Sequence, residues 1–194
     1  MRIIETEVYE FHELSEQAKE NAIDYFRKDM EIFFDFFHDD CIHYANERGF
    51  KDIELQYSLG YCQGDGLSFS AKEYTKLEEL YLDELGKGKE KTAKLLADNT
   101  YFKCTGNEGH YCFASSSDID IWIEYYTSSI NTDCKNINEA VDDVRLKLEQ
   151  IYYDVCKELE KRGYEEIEYQ LSDEAIILTI EANEYEFTKE GTLI

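Results

Sequence analysis

The chain has 194 residues, with 44 Asp and Glu against 20 Lys and Arg and a formal charge of −24. A small soluble domain needs only about 2 to 8 net charges to stay dispersed, so this excess opposes the compact state by self-repulsion and is expected to have a reason beyond solubility, the plain alternative being biased composition with solvated acidic faces. The same field repels phosphate backbones and anionic lipid, which argues against direct binding of DNA, RNA or membrane and for a basic protein partner.

The first long helix is predicted to begin at Ser15 as N-cap, with Glu16 in the first turn, and to stop at Gly49. Ala18, Ala22, Phe26, Met30, Phe33, Phe37, Cys41 and Tyr44 recur at three- and four-residue steps, the period of one buried helix face. After Gly49 the period becomes two. Ile53, Leu55 and Tyr57 alternate with Asp52, Glu54 and Gln56, the pattern of a half-buried strand, and Gln63-Gly64-Asp65-Gly66 supplies a hairpin turn before a return strand through Leu67 and Phe69. Residues 73 to 98 read as a helix bent or split at Gly86-Lys87-Gly88. Strands are expected near Tyr111 to Ala114 and Ile119 to Tyr125. In the second, Ile119, Ile121 and Ile123 take one face and Asp118, Asp120, Trp122 and Glu124 the other. A second long helix spans about Asn138 to Arg162 on a seam of Ile137, Val141, Val144, Leu148, Ile151, Val155 and Leu159. Tyr164 to Thr188 reads as strands, with turns at Ser172-Asp173-Glu174 and Ala182-Asn183.

An internal echo runs through this order. Arg48 to Ser58 matches Arg162 to Ser172 with six identities in eleven positions at a constant offset of 114. Each copy reads as a helix, a glycine stop and a strand entering a hairpin, either by duplication or by convergence on the same junction. The expected class is α+β: a mainly antiparallel sheet with two long amphipathic helices and a shorter bent helix packed on one face. The expected organisation is a single domain over residues 1–194, with pseudo-repeat halves 1–72 and 115–194 joined by the helical segment 73–98.

No segment has the roughly 18 apolar residues that span a bilayer, and Met1 to Phe11 lacks the apolar run of a secretory signal, so a cytoplasmic protein is expected. Six cysteines, at 41, 62, 104, 112, 134 and 156, form no CxxC pair and read as buried reduced thiols rather than disulfides or zinc ligands.

The strand reading gives the acidic excess a geometry. Asp52 with Glu54, Glu166 with Glu168, and Asp118 with Asp120 and Glu124 each fall on the outer face of a predicted strand. Carboxylates two apart on a strand lie about 6.6 to 6.8 Å apart. Such rows on neighbouring strands would present a regular negative surface on the scale of a duplex backbone; the plain alternative is a solvated sheet face. His38 and His43 are five residues apart, which does not place two metal ligands on one helix face, and Cys104, His110 and Cys112 lack a fourth zinc ligand. The segment from Gly60 to Gly66 lacks the Lys-Ser/Thr of a phosphate-binding loop, and its Tyr61 and Asp65 read as a partner-contact tip on a hairpin turn. No nucleophile-and-base arrangement is visible. A non-catalytic protein without cofactor or metal is expected, and the helix seams leave a homodimer open.

Three segments carry a resemblance: Tyr9 to Lys19, Tyr57 to Phe69 and Ala182 to Thr188. Together they resemble acidic proteins encoded by bacteriophages and prophages. The resemblance implies a phage origin and a host-cell cytoplasmic setting, and in composition alone it extends to inhibitors of restriction or CRISPR nucleases that act as polyanions. The expected function is thus an anti-defence inhibitor, a DNA mimic whose acidic face covers the basic surface of a host nucleic-acid-binding protein. The alternative is a binding module that sequesters a small molecule or a toxin through a pocket near the Tyr61 to Gly66 loop.

Overall fold

The computed structural model describes residues 7–106, 112–114, 117–123 and 137–194. The class is α+β, with six α-helices and short antiparallel strand pairs among the described residues. The chain divides into two compact units, one formed by Met1–Phe34 with Tyr164–Ile194 and the other by Asp35–Gly163.

In the smaller unit, strand β1 (Tyr9–Glu10) leads through a 3-10 turn at Phe11–Glu13 into α1 (Glu16–Asp29). Ser15 caps α1 as expected, its hydroxyl accepting from the Ala18 N–H at 3.3 Å. Ser172 caps α6 (Asp173–Ala182) in the same way through Ala175. Each side-chain oxygen thus satisfies one of the amides a helix start leaves open. Phe11, Leu14, Ala18, Ala22 and Ile23 pack with Ile176, Ile180 and Phe187 into one apolar cluster. Strand β8 (Glu186–Phe187) pairs antiparallel with β1. Arg27 joins α1 to the start of α6 by pairing with Asp173 and donating from Nε to the Leu171 carbonyl at 3.1 Å.

The larger unit begins with α2 (Asp35–Glu47), which ends near Gly49 at φ +108, the stop expected there. Strands β2 (Phe50–Lys51) and β5 (Glu73–Tyr74) pair antiparallel, as do β3 (Glu54–Ser58) and β4 (Gly66–Ser70). The predicted hairpin therefore forms, with Leu55 opposite Phe69 and Tyr57 opposite Leu67. The bent helix is two helices, α3 (Leu77–Leu85) and α4 (Glu90–Asp98), parted by Gly86 and Gly88 at φ +84 and +86. Strands β6 (Thr100–Thr105) and β7 (Asp118–Ile123) make a further antiparallel pair, and α5 (Ile137–Gln170) contributes its residues through Gly163. The α5 seam is buried at Val144, Leu148, Val155 and Leu159, as its spacing predicts. Phe50 centres the core, with ring centroids 5.0 Å from Phe69, 4.9 Å from Tyr74 and 6.0 Å from Tyr152.

Several expectations are corrected. The first long helix is two helices, because Met30 turns extended at ψ 126 and the Gln170 side-chain amide takes over the Phe33 backbone. Gln170 accepts from the Phe33 N–H at 3.0 Å and donates to its carbonyl at 2.7 Å, replacing the bonds a continuous helix would supply. Residues 164–170 continue α5 rather than forming a strand, and Ser172-Asp173-Glu174 starts a helix rather than turning a hairpin. The echo is therefore one of sequence, with its first copy extended and its second helical. Cys112 to Ala114 carry no strand, Tyr111 lies outside the described residues, and β6 was not anticipated.

Gly191 shows how tightly the last residues pack in the smaller unit. At φ +83, a Cβ there would overlap the Ala18 carbonyl oxygen of α1. Gly191→Ala combines a left-handed backbone penalty of about 1 kcal/mol with a backbone clash, so we expect a loss of about 2 kcal/mol or more. Urea unfolding of the variant checks this.

Candidate functional site

The predicted carboxylate rows do not assemble. Asp52 is an exposed bend residue at φ +53 between β2 and β3, and only Glu54 begins a strand, opposite Ser70. Glu166 and Glu168 sit on α5, where neighbours two apart point about 200° from each other around the axis rather than along one face. Glu124 lies outside the described residues. Asp118 and Asp120 alone behave as expected: β7 alternates, with Asp118, Asp120 and Trp122 exposed and Ile119 and Ile121 buried. Even this row is not uniformly negative, because Lys103 on β6 stands opposite Asp120. At its far end Tyr101 and Trp122 stack, 5.6 Å between centroids and 12° between planes.

Tyr61 and Asp65 occupy a hairpin turn, as read. Tyr61 is exposed at φ +57. The Asp65 carboxylate accepts from the Ser58 hydroxyl at 2.8 Å and from the Cys62 N–H at 2.7 Å, which ties the loop to β3. Its role is to hold the turn.

The acids concentrate in one part of the chain instead. The smaller unit carries 18 Asp and Glu against 5 Lys and Arg in 65 residues, net −13; the larger carries 26 against 15 in 129, net −11. Every described acid of the smaller unit is exposed or half-buried. A cavity of about 390 Å³ there has Phe11, Ile180 and Tyr185 as apolar lining, with His12 and the carboxylates of Glu10, Glu181, Glu184 and Glu186 around them.

The larger unit holds a groove that no motif announced. A cavity of about 530 Å³ lies between the start of β7 and α5, lined by Asp118 and Ile119 on one side and Leu146, Glu149 and Tyr153 on the other. Leu146 and Tyr153 are 55% and 42% exposed, large apolar groups left open on a helix that buries its seam. Their spacing of seven residues was the available signal: both lie off the Val144 to Leu159 seam and yet share a face of their own. Beneath them Tyr152 is 2% exposed. Its hydroxyl donates to the Phe69 carbonyl at 2.8 Å, accepts from the Phe69 N–H at 2.9 Å and lies 2.7 Å from the Ser117 hydroxyl.

Of the cysteines, Cys41, Cys104 and Cys156 are buried, Cys112 is half-buried and Cys62 is exposed; Cys134 and His110 lie outside the described residues. No group of three or more His, Cys, Asp or Glu is placed to hold a metal ion among the described residues. No helix there is long and apolar enough to cross a membrane. The chain matches no family model, no curated protein and no solved structure.

Tyr152→Phe strands the buried amide of Phe69 and leaves its carbonyl only the weak Cys104 thiol donor at 3.5 Å, and should lower stability by about 1 to 3 kcal/mol, measured by denaturant unfolding. Burial, the largest cause, pushes the Cys41 and Cys104 thiols from 9.0 up to about 12. The fold thus favours the neutral thiol, and these groups leave stability unchanged below pH 9 and erode it as pH climbs from 9 towards 12. The urea midpoint should fall over that range, and fall less steeply in Cys41→Ala.

Proposed function

We propose that this chain is a non-catalytic acidic inhibitor of phage type that occupies the basic nucleic-acid-binding surface of a host defence protein, a CRISPR or restriction nuclease, as a mimic of DNA. The observation that carries the reading is the density of charge in the smaller unit, 18 acids against 5 bases with the described acids at the surface. Such a field attracts a Lys- and Arg-lined channel, accelerates encounter and repels the nucleic acid that competes for the same channel. The sheet rows no longer supply a geometry; what supports the reading is the number and exposure of the carboxylates in the smaller unit. The alternative, a small-molecule or toxin pocket at the Tyr61 to Gly66 loop, draws nothing from that loop, whose Asp65 is engaged with Ser58 and Cys62.

The test is capture from lysate of the bacterial host with the tagged protein at low and high salt, followed by activity assays on what is captured. The reading expects a nucleic-acid-binding protein that is released by high salt and by duplex DNA and whose nuclease activity the chain inhibits. The triple variant Glu181→Gln, Glu184→Gln, Glu186→Gln should weaken that binding about tenfold, since exposed pairs contribute roughly 0.2 to 1 kcal/mol each and 1.4 kcal/mol is tenfold. Binding indifferent to salt and to DNA would defeat the mimic.

A further inference from the structure

We propose that the outer face of α2 enters a nucleobase-stacking pocket of the partner protein, with the Phe36 ring in the place of a nucleobase and Asp39 and Asp40 in the place of the phosphates beside it. The inference rests on the reading of a basic, nucleic-acid-binding partner and goes beyond it by naming the residues that make a contact and the kind of pocket that takes them. Phe36 is 88% exposed, more than any other large apolar side chain among the described residues. A lone exposed apolar residue is ordinary on a protein surface. The setting of this one is not.

The inner side of α2 is fixed by Phe37, Cys41 and Ala45, buried at four-residue steps, with the Phe37 ring edge-on to Tyr57 at 5.7 Å between centroids. Phe36 lies about 100° around the axis from Phe37 and is thereby turned outward. Asp39, Asp40, His43 and Glu47 follow it at the steps that share its face, and all four are exposed. His43 and Glu47 meet at 3.4 Å between Nε2 and Oε1, which leaves Asp39 and Asp40 as the anions nearest the ring along the face, at Cβ separations of about 5 to 6 Å. Helix α2 carries four acids and no lysine or arginine. A flat ring with anions beside it is the pattern an unstacked nucleotide presents. Proteins that hold single strands receive it with aromatic platforms in a groove lined by Lys and Arg. Stacking of the ring supplies the central anchor, and the carboxylates meet the cations at its rim. A second copy of this chain fits poorly, because it would set Asp39 and Asp40 against an equally acidic surface.

The experiment titrates the whole isotope-labelled protein at low salt with a short peptide of alternating lysine and tryptophan, a minimal stacking platform with cations beside it, and follows the amide shifts by NMR. Its controls are a glutamate-tryptophan and a lysine-alanine peptide. Expected are shifts centred on Asp35 to His43, at least tenfold weaker binding by Phe36→Ser with its urea midpoint unchanged, recovery of binding in Phe36→Tyr, and about threefold weaker binding by Asp39→Asn with Asp40→Asn. Equal binding of the alanine peptide removes stacking, and equal binding of the glutamate peptide removes the charge argument. Shifts that leave α2 untouched, or no binding, remove the site. Host-protein capture unchanged in Phe36→Ser overturns the α2 contact and leaves the acidic inhibitor standing. Peptide binding at α2 alongside failed capture by the unaltered chain does the reverse.

Discussion

The larger unit depends on one hydroxyl. Strand β4 is fully paired to β3 along one edge, but the amide and carbonyl of Phe69 turn the other way, into an interior built from Phe50, Phe69 and Tyr152. Backbone groups left there without partners would each cost about 1 to 3 kcal/mol, and no water-filled route is needed to spare them, because Tyr152 meets both. A phenylalanine could fill the same volume without doing so. The contact also fixes α5 in rotation: with Tyr152 turned inward, Tyr153 and Leu146 are turned out. The groove is thus a consequence of how a buried polar debt of the sheet is met by the helix.

Much of the fold was legible because local rules and packing agree at those places. Ser15 caps, Gly49 stops, the Gly64 to Gly66 turn closes a hairpin whose strands alternate, and two glycines split the third helix. The break in the first helix was not legible. It has no proline or glycine; it depends on Gln170, 137 residues away in sequence, whose amide stands in for helix bonds at Phe33. No window of local sequence contains that information. Strand β6 was hidden for a different reason: it alternates in the molecule, with Thr100, Phe102 and Cys104 less exposed than Tyr101 and Lys103, but Thr-Tyr-Phe-Lys-Cys-Thr contains no aliphatic residue to mark the inner face.

The tail misled through its resemblance to the first junction. Arg48-Gly49 and Arg162-Gly163 begin the same run, but Gly49 takes φ +108 and ends a helix, while Gly163 lies inside α5, where its missing side chain makes room for Leu59 and Phe37. Beyond Gly49 the chain buries Phe50 against Tyr74 and Phe69; beyond Gly163 it buries Ile167 and bonds Gln170 to Glu166 one turn back. A four-residue series through Val155, Leu159, Gly163 and Ile167 was present all along, and glycine read only as a stop concealed it. The acidic surface moved with that correction. Glu166 and Glu168 alternate like strand residues in the sequence and are carried around a helix in the molecule.

The proposed reading asks different things of charge and of contact. At physiological ionic strength exposed charges are screened within about 8 Å, so the acids of the smaller unit would act on the approach and orientation of a basic partner more than on its residence. Long residence requires desolvated contact, and a surface of exposed carboxylates is poor at it, since each strongly hydrated anion must give up water to gain a mobile lysine. A partner attracted by charge alone would therefore exchange quickly with DNA, and salt would act mainly on its association.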